Sequence, residues 1–157
     1  MSDQRASQWK SLVDAHRYFR HELVDFVRDW DESSERIVKA GLGSEIRVAL
    51  AVIRTLPADR AIRLLPDLLY HARSVHGHLE AVRETVLSIS RDRLLKEIET
   101  AAQPLLATGD DEDYRRFLEL YLMIDSQLAL RLARTAANAS DANIRDVGED
   151  FLEKLVK

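Results

Sequence analysis

The chain has 157 residues, 46% apolar and 32% charged, with five glycines, three prolines and a formal net charge of −4. That length supports one domain with its own core, and that balance excludes a disordered chain. There is no cysteine, which excludes disulfides, thiol nucleophiles and thiolate metal sites.

The charge is unevenly spread. Residues 1–43 carry seven basic and eight acidic groups, 44–96 nine and six, and 97–157 seven and thirteen. The middle is weakly basic and the C-terminal third acidic. A nucleic-acid binder is expected to show a stronger basic stripe, so nucleic acid is not an expected partner. The opening residues MSDQRASQWK lack the apolar core of a secretory leader. The longest uncharged run, 100–109, is too short and polar to span a bilayer. A cytoplasmic location without a membrane partner is therefore expected.

The first helix is predicted over 7–29. Trp9, Leu12, Val13, Phe19, Leu23, Phe26, Val27 and Trp30 recur in steps of three and four, which gives one dry and one wet face. Ser33 or Ser34 is expected to cap a short helix through Ile37, Val38 and Ala40. Gly41-Leu42-Gly43 is expected to end it, because glycine accepts a left-handed terminus. Ser44 then reads as an N-cap for Ile46, Ala49, Leu50, Ile53 and Leu56, and Pro57 stops that helix. Asp59 is expected to cap a helix through Ile62, Leu65, Leu68, Leu69 and Ala72. Pro66 inside that stripe means either a kink or a helix that starts later, with the proline in its first turn.

A turn at 74–77 precedes a helix with Leu79, Val82, Val86 and Ile89. Ser90-Arg91-Asp92 joins it to a partner with Leu94, Leu95, Ile98, Ala102 and Leu105. The loop 108–113 is rich in acids that suit a helix N-terminus. Tyr114, Phe117, Leu118, Tyr121 and Leu122 follow, then Leu128, Leu132, Ala133 and Ala136 on the partner helix. Residues 138–141 turn the chain into a last helix with Ile144, Val147, Phe151, Leu152 and Leu155. Every joint is short, as antiparallel neighbours require. Leu65, Val82, Ile98 and Leu118 sit mid-helix on the dry faces and are expected to be buried.

A unit recurs every thirty to thirty-six residues, marked by Ile46-Arg47, Val82-Arg83, Tyr114-Arg115 and Ile144-Arg145. Such periods belong to stacked helix pairs, in which no unit buries its own apolar face. The run 141–147 followed by Phe151-Leu152, and the run 79–84, resemble the first helices of HEAT repeats in the armadillo-like class. The resemblance covers 44–157 and leaves 1–43 as a cap or divergent first repeat, within one compact array overall. It implies an all-α, right-handed alpha-alpha superhelix of seven to eight helices that works as a protein-binding scaffold. Stacking would set Arg47, Arg83, Arg115 and Arg145 side by side, each paired to an acid or helix-end carbonyl of its neighbour.

Candidate sites are few. His76-Gly77-His78 with His71 and Glu80 falls short of the three or four ligands zinc needs, and the acids at 110–113 lack the alternation of a calcium loop. No catalytic residues, metal or cofactor are expected. His16 reads as a core-edge histidine. The resemblance implies that the second helices of the pairs line a concave face. There Arg60, Arg63, Arg93, Lys96, Arg131 and Arg134 would form a cationic stripe suited to an acidic protein segment. A structural or sensor segment of a larger protein is the alternative. The last helix has no partner helix after it. Its residues Val147, Phe151, Leu152 and Leu155 are therefore expected to be incompletely covered, with self-association through that end as one consequence.

Overall fold

The computed structural model describes residues 2–73 and 77–155. Every regular element among them is helical. The helices are α1 (Ser2–Arg28), α2 (Glu32–Ser44), α3 (Ile46–Thr55), α4 (Ala58–Ala61), α5 (Leu65–Ala72), α6 (Leu79–Leu87), α7 (Arg91–Leu106), α8 (Asp111–Ile124), α9 (Ser126–Ala137) and α10 (Ala142–Leu155). A 3-10 turn, Ile62–Leu64, links α4 to α5. With that interrupted stretch counted once there are nine helices among the described residues, against seven or eight expected.

The joints follow from local chemistry. Asp31, not Ser33 or Ser34, caps α2. Its carboxylate accepts from the Ser34 amide at 2.7 Å, and the Ser34 hydroxyl returns to the Asp31 amide in a capping box. Gly41 and Gly43 do not end this helix. No glycine among the described residues has a positive φ, and the helix runs on to Ser44. Ser44 is therefore a last helical residue whose hydroxyl turns back to the Ala40 carbonyl, and the sharp joint falls at Glu45. Extended Leu56 and Pro57 stop α3, and Pro57 rather than Asp59 stands at the start of α4. Pro66 lies in the first turn of α5, where its missing N–H costs no intrahelical bond. Asp110, Asp125 and Asp141 each accept backbone N–H groups at the starts of α8, α9 and α10.

One buried cluster extends from Val38 to Phe151, and Leu65, Val82, Ile98 and Leu118 are fully buried in it, as expected. Val38 and Leu42 of α2 belong to the same cluster. Packing runs between helices near in sequence: α2 on α3, α3 on α6, α5 on α6 and α7, α6 on α8, and α10 on α8 and α9. The α9–α10 approach is the closest fit, through buried Gly148. A Cβ there would fall 2.7 Å from the Ala136 carbonyl carbon and 2.8 Å from the Ala133 oxygen. Only a residue without a side chain permits it.

The two ends of the chain depart from expectation in opposite senses. At the C-terminal end, Val147 and Phe151 are buried and Leu152 and Leu155 half-buried against α8 and α9. The preceding pair therefore does cover this helix. At the N-terminal end the dry face of α1 is not covered. Leu23, Phe26, Val27 and Trp30 pack on the core, but Trp9 and Leu12 are 68% and 64% exposed, and His16 and Phe19 are also exposed.

Candidate interaction surfaces

A groove of about 660 Å³ lies between α1, α2 and α3. Phe19, Leu23 and Phe26 of α1 form one wall. Ile37 of α2 and Val48 and Val52 of α3 form the other. The walls are apolar because α1 enters the body at its C-terminal end only, which leaves the outer flanks of α2 and α3 without a neighbour. Ile37 and Val48 are large, apolar and exposed, at 57% and 46%. The charged residues lining the groove are all acidic: Glu22, Asp25 and Glu45. Asp25 is engaged by His21 and Arg28, each at 2.8 Å. Sequence reasoning placed Phe19 and Val48 on helices but missed the groove. The missing signal was that α1 has more apolar length than α3 can cover.

The six predicted cations fall into two groups. Arg60 reaches the Val27 carbonyl of α1 at 3.5 Å, Arg63 pairs with Glu35 of α2 at 3.3 Å, and Arg131 grips Glu99 of α7 through two bonds of 3.0 and 2.9 Å. These three have protein partners. Arg93, Lys96 and Arg134 are exposed, with no ion pair among the described residues. The Arg131–Glu99 bridge ties α9 to α7 and so brings Arg93 and Lys96 onto the helix beside that of Arg134. The stripe is also less cationic than its sequence suggests, because Glu35, Asp67 and Glu99 lie within it: Lys39 of α2 meets Asp67 at 3.5 Å.

The arginine ladder forms in part and with a changed register. Arg83, 7% exposed, pairs with Glu119 of α8, which also receives Arg116 at 3.2 Å. Burial pushes the Glu119 carboxyl up, but the hydrogen bonds and charges of Arg83 and Arg116 outweigh it and hold the group below its ordinary value. Arg145 donates to the Ala139 and Ser140 carbonyls of its own preceding turn. Arg47 and Arg115 make no ion pair among the described residues. The contact from α3 to α6 is made instead by Arg54, at the other end of α3 from Arg47, which donates to the Thr85 hydroxyl and the Ala81 carbonyl, both at 2.8 Å.

His76 lies outside the described residues; His71 stacks edge-on against Tyr70. No group of three or more potential metal ligands occurs among the described residues, and no described helix is long and apolar enough to cross a membrane. A smaller groove of about 310 Å³ beside Tyr121, between α7, α8 and α9, has the Glu99–Arg131 bridge on its wall. Comparison with known protein families, with curated proteins and with solved structures gives no match.

Proposed function

We propose that this chain is a non-catalytic, HEAT-like helical-repeat module that binds an amphipathic helix in the groove between α1, α2 and α3. The carrying observation is the groove itself: about 660 Å³, walled by exposed apolar side chains and rimmed by acids. Helix-in-groove recognition needs such a cleft, with apolar anchors spaced along one face of the bound helix. The acidic rim favours a helix with basic flanks.

The repeat reading is supported by a period in the contacts. Five side-chain contacts between helices join residues about one repeat apart, Arg54 to Thr85, Arg60 to Val27, Arg83 to Glu119, Arg91 to Asp125 and Arg131 to Glu99, at separations of 31, 33, 36, 34 and 32, while others, such as Arg54 to Ala81 at 27 and Tyr121 to Ile98 at 23, fall outside that interval. The same interval separates the sequence units. Stacked repeats place equivalent positions side by side, which is what such a period reflects.

Titration of a labelled synthetic helix with leucine anchors and lysine flanks tests the groove. We expect saturable binding that Val48→Asp weakens about tenfold or more, since a charge in an apolar cleft loses its hydration. Equal binding by parent and variant would sink the groove reading. A second reading, capture of an acidic segment by α7 and α9, is favoured only by the exposed, unbridged Arg93, Lys96 and Arg134 on two helices that Arg131 and Glu99 tie together. An acidic peptide in the same titration, lost on charge reversal at those three, is its expected signature; unchanged affinity retires the stripe.

A further inference from the structure

We propose that the free half of α1 is an arm that folds on binding: residues 2–18 exchange between coil and helix in the free chain, and a helix seated in the groove lies along α1 and fixes them as helix. This rests on the groove reading above and adds a conformational control on that site.

Little holds the arm. α1 runs from Ser2 to Arg28, but its packing on the body starts at Leu23, with Phe26 and Val27 one turn on. Residues 3–12 and 14–22 are all exposed. Within the arm, Asp14 meets Arg17 at 3.7 Å in the open, and the Ser11 hydroxyl turns back on the Ser7 carbonyl. An exposed pair of that kind adds little, and serine back-bonding weakens a helix slightly.

Composition points the same way. Residues 2–18 include three serines, two aspartates, Trp9, Val13, His16 and Tyr18, all of which favour helix less than alanine or leucine do. A solvated stretch of that length and composition is marginal as a helix. The anchored turn at Leu23 supplies the nucleus, so the helix propagates outward from there and frays from Ser2 inward.

The groove reaches the arm because α1 is one of its walls, through Phe19, Leu23 and Phe26. Trp9, Leu12 and His16 continue that line in steps of three and four. The wall from Phe19 to Phe26 is about 10 Å long, and the 27 residues of α1 span about 40 Å. A bound helix of about 10 residues therefore fills the groove, and one of about 25 also runs along the arm. The occupant is the basic-flanked amphipathic helix that Glu22, Asp25 and Glu45 complement in charge. Its contacts with Leu12 and Trp9 exist only while the arm is helical, because coil scatters the stripe. Binding of the long helix thus draws the arm into helix, and its affinity is lowered by the fraction of chains whose arm is coil.

Hydrogen exchange and titration of the full chain test the arm. The probes are two stapled synthetic helices with leucine anchors and lysine flanks, of about 10 and about 25 residues. Amides of 3–18 should exchange at nearly coil rates in the free chain, slow on saturation with the long helix, and stay fast with the short one. Lys10 separates ordering from contact. It stands on the opposite side of α1 from Leu12 and Phe19, so Lys10→Ala and Lys10→Gly both remove the charge and differ in helix propensity alone. Lys10→Ala should bind the long helix about threefold to fivefold more tightly than Lys10→Gly, with no difference for the short helix. Slow exchange across 3–18 in the free chain, or equal affinity of the two variants for the long helix, would overturn the arm. Val48→Asp reports the groove by itself, since it should weaken both helices. If the short helix binds and loses affinity with Val48→Asp while the two Lys10 variants match, only the arm fails; if neither helix binds, the groove reading fails and the arm with it.

Discussion

Glu119 shows how a single carboxylate can hold two elements together. It receives Arg83 from α6 and Arg116 from its own helix, while Arg83 has little other access to solvent or charge. Glu119→Gln would leave Arg83 buried beside a neutral group, with only Glu80 at 3.6 Å to answer it. Uncompensated buried charge is costly, and we expect a loss of about 3 kcal/mol in a denaturant melt. The pH dependence has a definite sign. A carboxylate depressed in the folded state contributes stability that is full above its unfolded value, near 4.3, and is lost as pH falls through its lower folded value. The parent should therefore lose stability below about pH 4, and Glu119→Gln should show a shallower acid slope. Equal slopes would assign the acid sensitivity elsewhere. The sequence marked Arg83 by its repeat position but gave no hint of Glu119, because the partner is chosen by the register of α6 on α8, which one strand of text does not hold.

At the scale of elements, the boundaries between helices are set by aspartates and prolines more than by glycines. Asp125 is the clearest case. It ends α8 and starts α9 in extended conformation, with its carboxylate accepting from Gln127 and Leu128 while Arg91 of α7 approaches the same group at 2.7 Å. The Leu128 amide, ahead of the other causes, holds this carboxyl below its ordinary value. Asp125→Ala should lower the melting temperature as a lost cap, with Asp125→Asn retaining most of the stability; equal losses in both variants would mean that the charge facing Arg91, not the cap, matters. Apolar period makes the helices of the body legible from Ile46 onward, and Pro66 takes the first-turn place, one of the two that its position in the stripe allows. The glycine stop at 41–43 was misread for a physical reason. Glycine permits a left-handed terminus but does not impose one, and Leu42 is worth burying in a continuing helix. Likewise, period alone showed that α1 has a dry face and could not show how much of it the body would reach.

For the whole molecule, the two ends should respond to truncation in opposite ways. Residues 3–12 are exposed throughout, so removing 2–12 deletes almost no buried apolar surface. α10 is different: Val147 and Phe151 are buried, and Gly148 lets its backbone press against Ala133 and Ala136 of α9. Deleting it would uncover Ala133 and Ala136, against which Gly148 packs. Burial of one large side chain is worth about 1.5–3 kcal/mol, and several go together here. We expect the 2–12 deletion to melt within about 0.5 kcal/mol of the parent in a denaturant titration, as changes confined to the surface do. The α10 deletion should instead lose cooperative unfolding or aggregate, because the apolar surface that α10 covers on α8 and α9 would be bare.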